Sequence, residues 1–271
     1  MQRKIVFIGG DKRQVYAALK LIKEGYSVYL AGFDKLDADI PKIENYYEAD
    51  IFVLPLTGVK DNVVPAYYSD KELKIEPDKL NDKLVFMGKA DTLNASGSTV
   101  YNLLKREDFA EANALPSAEG AISVAMQSYE ESVEGSSCLV IGYGRIGKAL
   151  SRKLRDLGAK VSVATRSAEK AKSVKSDKNT PISTSELRSL NGFDIVFNTA
   201  DALVLGADIL RNSDNSTLII DLASLPGGVD FDSAESFGFK TIHALGLPGK
   251  FSPKAAGKII SDTILRILKE E

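Results

Sequence analysis

The sequence predicts an α/β protein with two doubly wound parallel-sheet domains, and three observations carry that expectation. Short apolar runs alternate with amphipathic segments along the chain, which is the signature of successive β-α-β units with helices on both sheet faces. The 271 residues are close to two ordinary domain lengths of about 150 residues each. The alternation also restarts midway: an amphipathic segment at 116–134 precedes a second series of apolar runs beginning at 138. The expected division is therefore 1–115, 116–250 (with 116–134 an interdomain helix) and a C-terminal helix at 251–271.

In chain order, Lys4, Ile5, Val6, Phe7 and Ile8 read as the first strand. Gly9-Gly10-Asp11 is a turn, and 13–24 a helix with Val15, Leu19 and Ile22 on one face. Further strands are expected at 26–31, 50–54 and 83–87. Pro116 followed by Ser117, Ala118 and Glu119 looks like a helix start, since Pro suits the first helical position. That helix would carry Ile122, Ala125, Met126, Tyr129 and Val133 on one face, with Gly135 as its stop. The second half is expected to place strands at 138–141, 160–164, 194–198, 217–222 and 239–243. Ser252-Pro253 form an N-cap and first-turn pair for a last helix whose stripe is Ala256, Ile260, Ile264, Ile267 and Leu268.

Composition narrows the function. The chain is 44% hydrophobic and 27% charged, ordinary for a globular protein. A net charge of −2 provides no electrostatic footprint for nucleic acid. No apolar run approaches the about 18 residues of a membrane span, and no basic-then-apolar leader is seen, so a cytoplasmic protein is expected. The single cysteine, Cys138, lies in an apolar strand pattern and is expected to be a core residue. No Cys/His cluster has metal-ligand spacing, so no metal site is expected.

Residues 139–147 run Leu-Val-Ile-Gly-Tyr-Gly-Arg-Ile-Gly, an apolar strand entering G-x-G-x-x-G and then a helix. This is the dinucleotide-binding fingerprint in its required setting. Gly142 allows the tight turn, Gly144 the approach of a pyrophosphate, and Gly147 close packing of helix on strand. The loop Gly142, Tyr143, Gly144, Arg145, Ile146 and Gly147 would present main-chain N–H groups and a positive helix end to the phosphates. An NAD-binding unit usually places Asp or Glu about 20 residues beyond the glycines. Here Thr165-Arg166-Ser167 occupies that place, with Arg166 lying 19 positions after Gly147. A guanidinium flanked by two hydroxyls can bind a 2′-phosphate, and no carboxylate repels one. The expected cofactor is NADP. Asn198, Thr199 and Ala200, after a later strand, complete the expected cofactor site.

Other polar turns fall at expected C-terminal strand ends, where ligands of open parallel sheets bind. Ser224, Gly227 and Gly228 lie in one, and Gly-Gly there also has a plain reading as a tight turn. Gly9-Gly10-Asp11 lacks a third glycine, so no second nucleotide is expected. Arg13 sits on the first turn of its helix, where a cation is slightly disfavoured by the dipole, favouring a role with an anion. Glu119 near a helix start has a purely electrostatic explanation. His243 is the sole histidine and ends a strand, which makes it a candidate acid–base group against an ordinary structural role.

Taken together, several motifs resemble the dipicolinate synthase A-chain family. They are Gly9-Gly10-Asp11-x-Arg13-Gln14, Ala31-Gly32-Phe33-Asp34, Pro116-Ser117-x-Glu119-Gly120, Asp221-Leu222-Ala223-Ser224-x-Pro226-Gly227-Gly228-x-Asp230-Phe231 and Gly246-Leu247-Pro248-Gly249-x-x-x-Pro253-Lys254-x-Ala256-Gly257. They span nearly the whole chain in order. The resemblance implies a flavodoxin-like N-terminal domain joined to a Rossmann domain. It also implies an oxidoreductase that, with a flavoprotein-like B subunit, makes dipicolinate, a sporulation product, from a dihydrodipicolinate-type precursor.

Under that resemblance Arg13, Ser117 and Lys254 are assigned to the carboxylates of a small dicarboxylate substrate. Ser224, Gly227 and Gly228 would lie beside the nicotinamide, with Ser224, His243 and Glu119 as catalytic candidates. A homo-oligomer, taken as a dimer, is expected. By analogy with other two-domain dehydrogenases, the last helix returns to the first domain. The sequence departs from the family at Leu225, where the pattern has Arg, and at His243, where it is apolar. The alternatives are an NADP-dependent dehydrogenase of another imino acid, amino acid or dicarboxylate, and a non-catalytic NADP-binding regulatory or scaffold subunit.

Overall fold

The computed structural model describes residues 3–270. It divides into two compact units, Met1–Asn113 with Ser252–Glu271, and Ala114–Phe251.

The first unit opens with β1 (Lys4–Ile8), α1 (Lys12–Lys23), β2 (Ser27–Ala31) and β3 (Ile51–Val53). A short antiparallel pair, β4 (Val63–Val64) and β5 (Leu73–Lys74), precedes β6 (Leu84–Met87) and β7 (Thr99–Asn102). The main sheet is wholly parallel in the order β2-β1-β3-β6-β7, the flavodoxin-like arrangement. Alternate residues of β1 enter two cores. Ile5 and Phe7 pack with Val15, Ala18 and Leu21 of α1, and Val6 and Ile8 with Phe52, Leu54 and Val85 on the opposite face. Burial on both faces explains why these strands read as unbroken apolar runs. The second face departs from expectation. Its cover is 3₁₀ turns at Tyr46–Glu48 and Pro77–Leu80 together with the β4–β5 ribbon, rather than α-helices. Residues 34–41 hold three aspartates and a proline, which favour turns over a helix interior.

Next comes α2 (Glu107–Ser128), which corrects the expected helix at 116–134. The helix begins nine residues earlier with Glu107 and Asp108 in its first turn, the charges a helix N-terminus favours. Pro116 therefore lies inside it, and the Ala-rich continuation through Ala118, Ala121 and Ala125 carries the helix past the proline. Val133 is buried in the core, but from a turn beyond the helix.

The second unit contains β8 (Ser137–Ile141), α3 (Arg145–Asp156), β9 (Lys160–Thr165), α4 (Ala168–Ser176) and β10 (Thr180–Ser183). It continues with β11 (Ile195–Asn198), α5 (Ala207–Arg211), β12 (Leu218–Asp221), α6 (Phe231–Ser236), β13 (Thr241–His243) and α7 (Leu247–Phe251). Its six parallel strands run β10-β9-β8-β11-β12-β13. Renumbered from β8 this is 3-2-1-4-5-6, the Rossmann order. Cys138 is fully buried in β8, and burial pushes its thiol pKa up.

The chain ends in α8 (Pro253–Glu270), which belongs to the first unit. Ile260, Ile264 and Ile267 join the core that α1 covers. Contact between the two helices is close: a Cβ on Gly257 would lie 2.6 Å from the Arg13 carbonyl oxygen. Among the described residues, no helix is long and apolar enough to cross a membrane, and no cluster of His, Cys, Asp and Glu could hold a metal.

Candidate cofactor site

At the C-terminal end of β8 each glycine of the fingerprint has a separate physical role. Gly142 has φ +95°, which side chains rarely adopt. A Cβ on Gly147 would lie 2.2 Å from the Gly142 carbonyl oxygen, so only glycine lets α3 start this close to the strand. Gly144 differs, because nothing lies within 4 Å of where its Cβ would be. It is the N-cap of α3, whose first turn has no acidic residue. An open surface above exposed helix N–H groups is what a pyrophosphate requires. The chain's residues therefore fit a dinucleotide.

The neighbouring strand ends close the site. β8 and β11 are adjacent, and the chain leaves them toward opposite sides of the sheet, making this the topological switch point. Thr199 Oγ1 donates to the Ile141 carbonyl at 2.9 Å, tying the β11 loop to the glycine turn. A cavity of about 350 Å³ follows, lined by Gly142–Gly144, Thr165–Ser167, Lys170 and Thr199–Asp201. Thr165 is buried, whereas Arg166 is exposed. Ser167 caps α4 by accepting from the Lys170 N–H at 3.2 Å. Sequence reasoning missed Lys170, although it stands four residues beyond Arg166 and one turn into α4. Neither cation has an ion-pair partner among the described residues. Asp201 is the cavity's carboxylate, and its Oδ1 accepts from the Ser224 N–H at 3.4 Å.

A buried polar staple organises the next loop. Asp221 is fully buried. Its Oδ1 accepts from Asn198 Nδ2 at 2.8 Å and the Ala223 N–H at 2.9 Å, and its Oδ2 from the Gly228 N–H at 2.7 Å. Asn198 also bonds both main-chain polar groups of Ala200. Gly227 has φ +101°, and a Cβ on Gly228 would lie 2.2 Å from Asn198 Nδ2. These glycines are required by the turn itself. The loop tip Ser224-Leu225-Pro226 stands in solvent, with Leu225 72% exposed. The Asn198–Asp221 pair is invisible in sequence, because its partners are 23 residues apart.

The remaining candidates are placed as follows. The Tyr143 ring packs against the core, and its hydroxyl donates to the half-exposed Asp177 at the end of α4. Burial, with that bond, raises the phenol pKa to about 12. His243 Nε2 lies 2.8 Å from the Ala223 carbonyl, and the ring stacks on Phe231 at 5.1 Å, giving it a role in holding the loop. Glu119 and Ser117 require correction, since neither is at a helix start. Ser117 is buried mid-helix, where main-chain N–H groups are bonded within the helix. The Glu119 carboxylate is 2.9 Å from Lys153 Nζ of α3. In the first unit, Arg13 forms a bidentate pair with Asp11 (Nε–Oδ1 2.9 Å, Nη2–Oδ2 2.7 Å), and Lys254 is exposed on the first turn of α8. Arg145 and Ile146 begin α3.

Comparison with known proteins decides the family. Residues 4–101 match the family model for the N-terminal domain of the dipicolinate synthase A chain. The whole chain is 34% identical to the dipicolinate synthase A chain of Bacillus subtilis (strain 168), covering 98% of this chain and 96% of that one. It belongs to the dipicolinate synthase A-chain family. The crystal structure of the dipicolinate synthase A chain from Bacillus halodurans superposes with a TM-score of 0.89 at 32% identity, covering 98% of this chain and 97% of that one. Residues 123–243 also match the shikimate/quinate 5-dehydrogenase model. An L-alanine dehydrogenase shares the fold, with TM-score 0.68 at 13% identity over 98% of this chain and 88% of that one. This member of the dipicolinate synthase A-chain family is thus a dehydrogenase-type oxidoreductase with a nicotinamide-dinucleotide domain.

Proposed function

We propose that the chain is the NADP-dependent oxidoreductase component that oxidises a dihydrodipicolinate-type precursor to dipicolinate, working with a B subunit in the cytoplasm as a homo-oligomer. The observation that carries the cofactor reading is the cavity beyond β8, where Arg166 and Lys170 stand without a carboxylate at the end of β9. Two cations there suit a 2′-phosphate and offer no acceptor pair for an unmodified ribose. Family membership over the whole chain supports the substrate.

When bound, NADP⁺ supplies the hydride acceptor. The oxidation removes a hydride from one ring carbon and a proton from the ring to solvent, and the dihydropyridine becomes a pyridine dicarboxylate. Aromaticity drives this loss, so the chain's own work is mainly orientation. The N–H groups around Gly144 and the start of α3 hold the pyrophosphate. The Asn198–Asp221 staple fixes the 223–228 loop beside the reacting ring, with Ser224 at its exposed tip. Arg13 and Lys254 are assigned to the substrate carboxylates. Leu225 favours one second reading: an exposed isobutyl group where the family pattern has Arg suits a less acidic imino acid.

The test is incubation with freshly generated dihydrodipicolinate, NADP⁺ and the B subunit, following NADPH absorbance. A rise dependent on all three supports the assignment. No rise, with turnover of another imino acid instead, moves the substrate to the second reading. Tight NADPH binding without turnover of any candidate identifies a regulatory role.

A further inference from the structure

We propose that the first domain carries a carboxylate subsite at its own sheet's switch point, with the Gln14 carboxamide as the recognition group. The inference rests on the reading above, which assigns Arg13 to a substrate carboxylate, and it adds the Gln14 amide and the cavity the two residues share.

Gln14 is the third residue of α1 and only 2% exposed, yet its Nε2 is buried with no hydrogen-bond partner. Buried donors are almost always satisfied, so an orphan calls for a partner from outside the chain, a ligand or a water. The side chain is held in place: a Cβ on Gly10 would lie 2.7 Å from Gln14 Cγ and 3.4 Å from Pro55 Cγ. The absence of that Cβ makes room for the amide. Gly10, Arg13 and Gln14 from the β1–α1 turn meet Pro55 and Thr57 after β3 around a cavity of about 10 Å³. That is room for one oxygen-sized group. Because β1 lies between β2 and β3, the crevice beyond β1 and β3 is the switch point, where open parallel sheets bind ligands.

Charge selects the ligand. Asp11 on the rim is neutralised by Arg13, and the first turn of α1 holds no other acid. Asp11 engages Nε and Nη2 of Arg13, while Nη1 makes no hydrogen bond among the described residues. One oxygen of a carboxylate satisfies Gln14 Nε2, and because Asp11 and Arg13 cancel, the negative charge is matched by the positive N-terminal end of α1, with Arg13 Nη1 left as a further donor. A neutral carbonyl would use only the amide.

The experiment is calorimetric titration of the full chain and its Gln14→Leu and Gln14→Glu variants with dipicolinate, malonate and pyruvate. NADPH titration and thermal unfolding are run on the same samples. Leu removes the donor, and Glu keeps the shape, so the test stands if either variant folds poorly. The expected result is at least tenfold weaker carboxylate binding in both variants, NADPH affinity within twofold of the parent, and no loss of thermal stability for Gln14→Leu. Equal carboxylate binding in the variants would overturn the proposal and leave the amide to a water molecule. So would a parent chain that binds none of the three. If malonate or pyruvate binds in a Gln14-dependent way while dipicolinate does not, the subsite stands and the dipicolinate reading falls. If dipicolinate binds equally to all three proteins, the reverse holds.

Discussion

Two alanine substitutions in one loop should separate cofactor binding from folding. At Gly144 φ is −86°, which alanine adopts freely, and the new methyl meets nothing within 4 Å. Losing glycine at an N-cap costs up to about 1 kcal/mol, and reduced freedom of the unfolded chain returns roughly 0.4–1 kcal/mol. Gly144→Ala should therefore change stability by less than about 1 kcal/mol. The methyl would nevertheless stand in the space through which a pyrophosphate reaches the helix N–H groups. NADPH affinity should fall at least about tenfold, or ~1.4 kcal/mol. Gly147→Ala behaves in the opposite way. Its methyl would sit 2.2 Å from the Gly142 carbonyl oxygen, 3.0 Å from that carbon and 3.1 Å from Thr199 Oγ1. Two of these atoms are backbone, so relief requires α3 to move off β8, at the upper end of the roughly 1–3 kcal/mol typical of overpacking. Thermal unfolding and calorimetric titration with NADPH read both quantities. Unchanged NADPH binding in Gly144→Ala, or equal destabilisation by the two variants, would refute the assignment of separate roles.

Other consequences follow from the same geometry. Asp221→Asn keeps the shape but sets an NH₂ against donors, so the chain should lose about 2–4 kcal/mol, given roughly 1.5–3 per charge-assisted bond. Denaturant melts check this, and a loss below about 1 kcal/mol would mean the staple is slack. Tyr143, with its pKa raised to about 12 chiefly by burial, stabilises the fold fully below the unfolded phenol pKa near 10. That contribution should be lost as pH rises from about 10 to about 12. Tyr143→Phe should flatten this alkaline decline, and an unchanged profile in that variant would contradict it.

Legibility of the sequence varies with burial. Central strands such as β1 and β8 are buried on both faces, and their apolar runs are readable nearly to the residue. The edge strands β7 (Thr-Val-Tyr-Asn) and β10 (Thr-Pro-Ile-Ser) are polar, half-exposed and short, and carry no apolar run to announce them. A proline fits β10 because an edge strand need not donate every N–H. Pro116 misleads for a different reason: the ring that suits a helix start sits mid-helix here, and burial of Ala114, Ser117, Ala118 and Ala121 around it offsets the lost hydrogen bond. The glycine loop is legible because backbone chemistry there dictates residue type. Lys170 is accessible as the basic residue in the first turn after the Ser167 N-cap, directly following the Arg166 turn. The Asn198–Asp221 staple and the orphan amide of Gln14 are not, since both depend on which distant groups the fold brings near.

The central claim, that cations at the end of β9 select a phosphorylated dinucleotide, is tested most directly by comparing NADPH and NADH affinities in the parent chain and in Arg166→Glu. The account predicts that NADPH binds the parent at least about tenfold more tightly, and that the substitution removes this preference by weakening NADPH far more than NADH. Equal affinities in the parent, or equal losses in the variant, would contradict it.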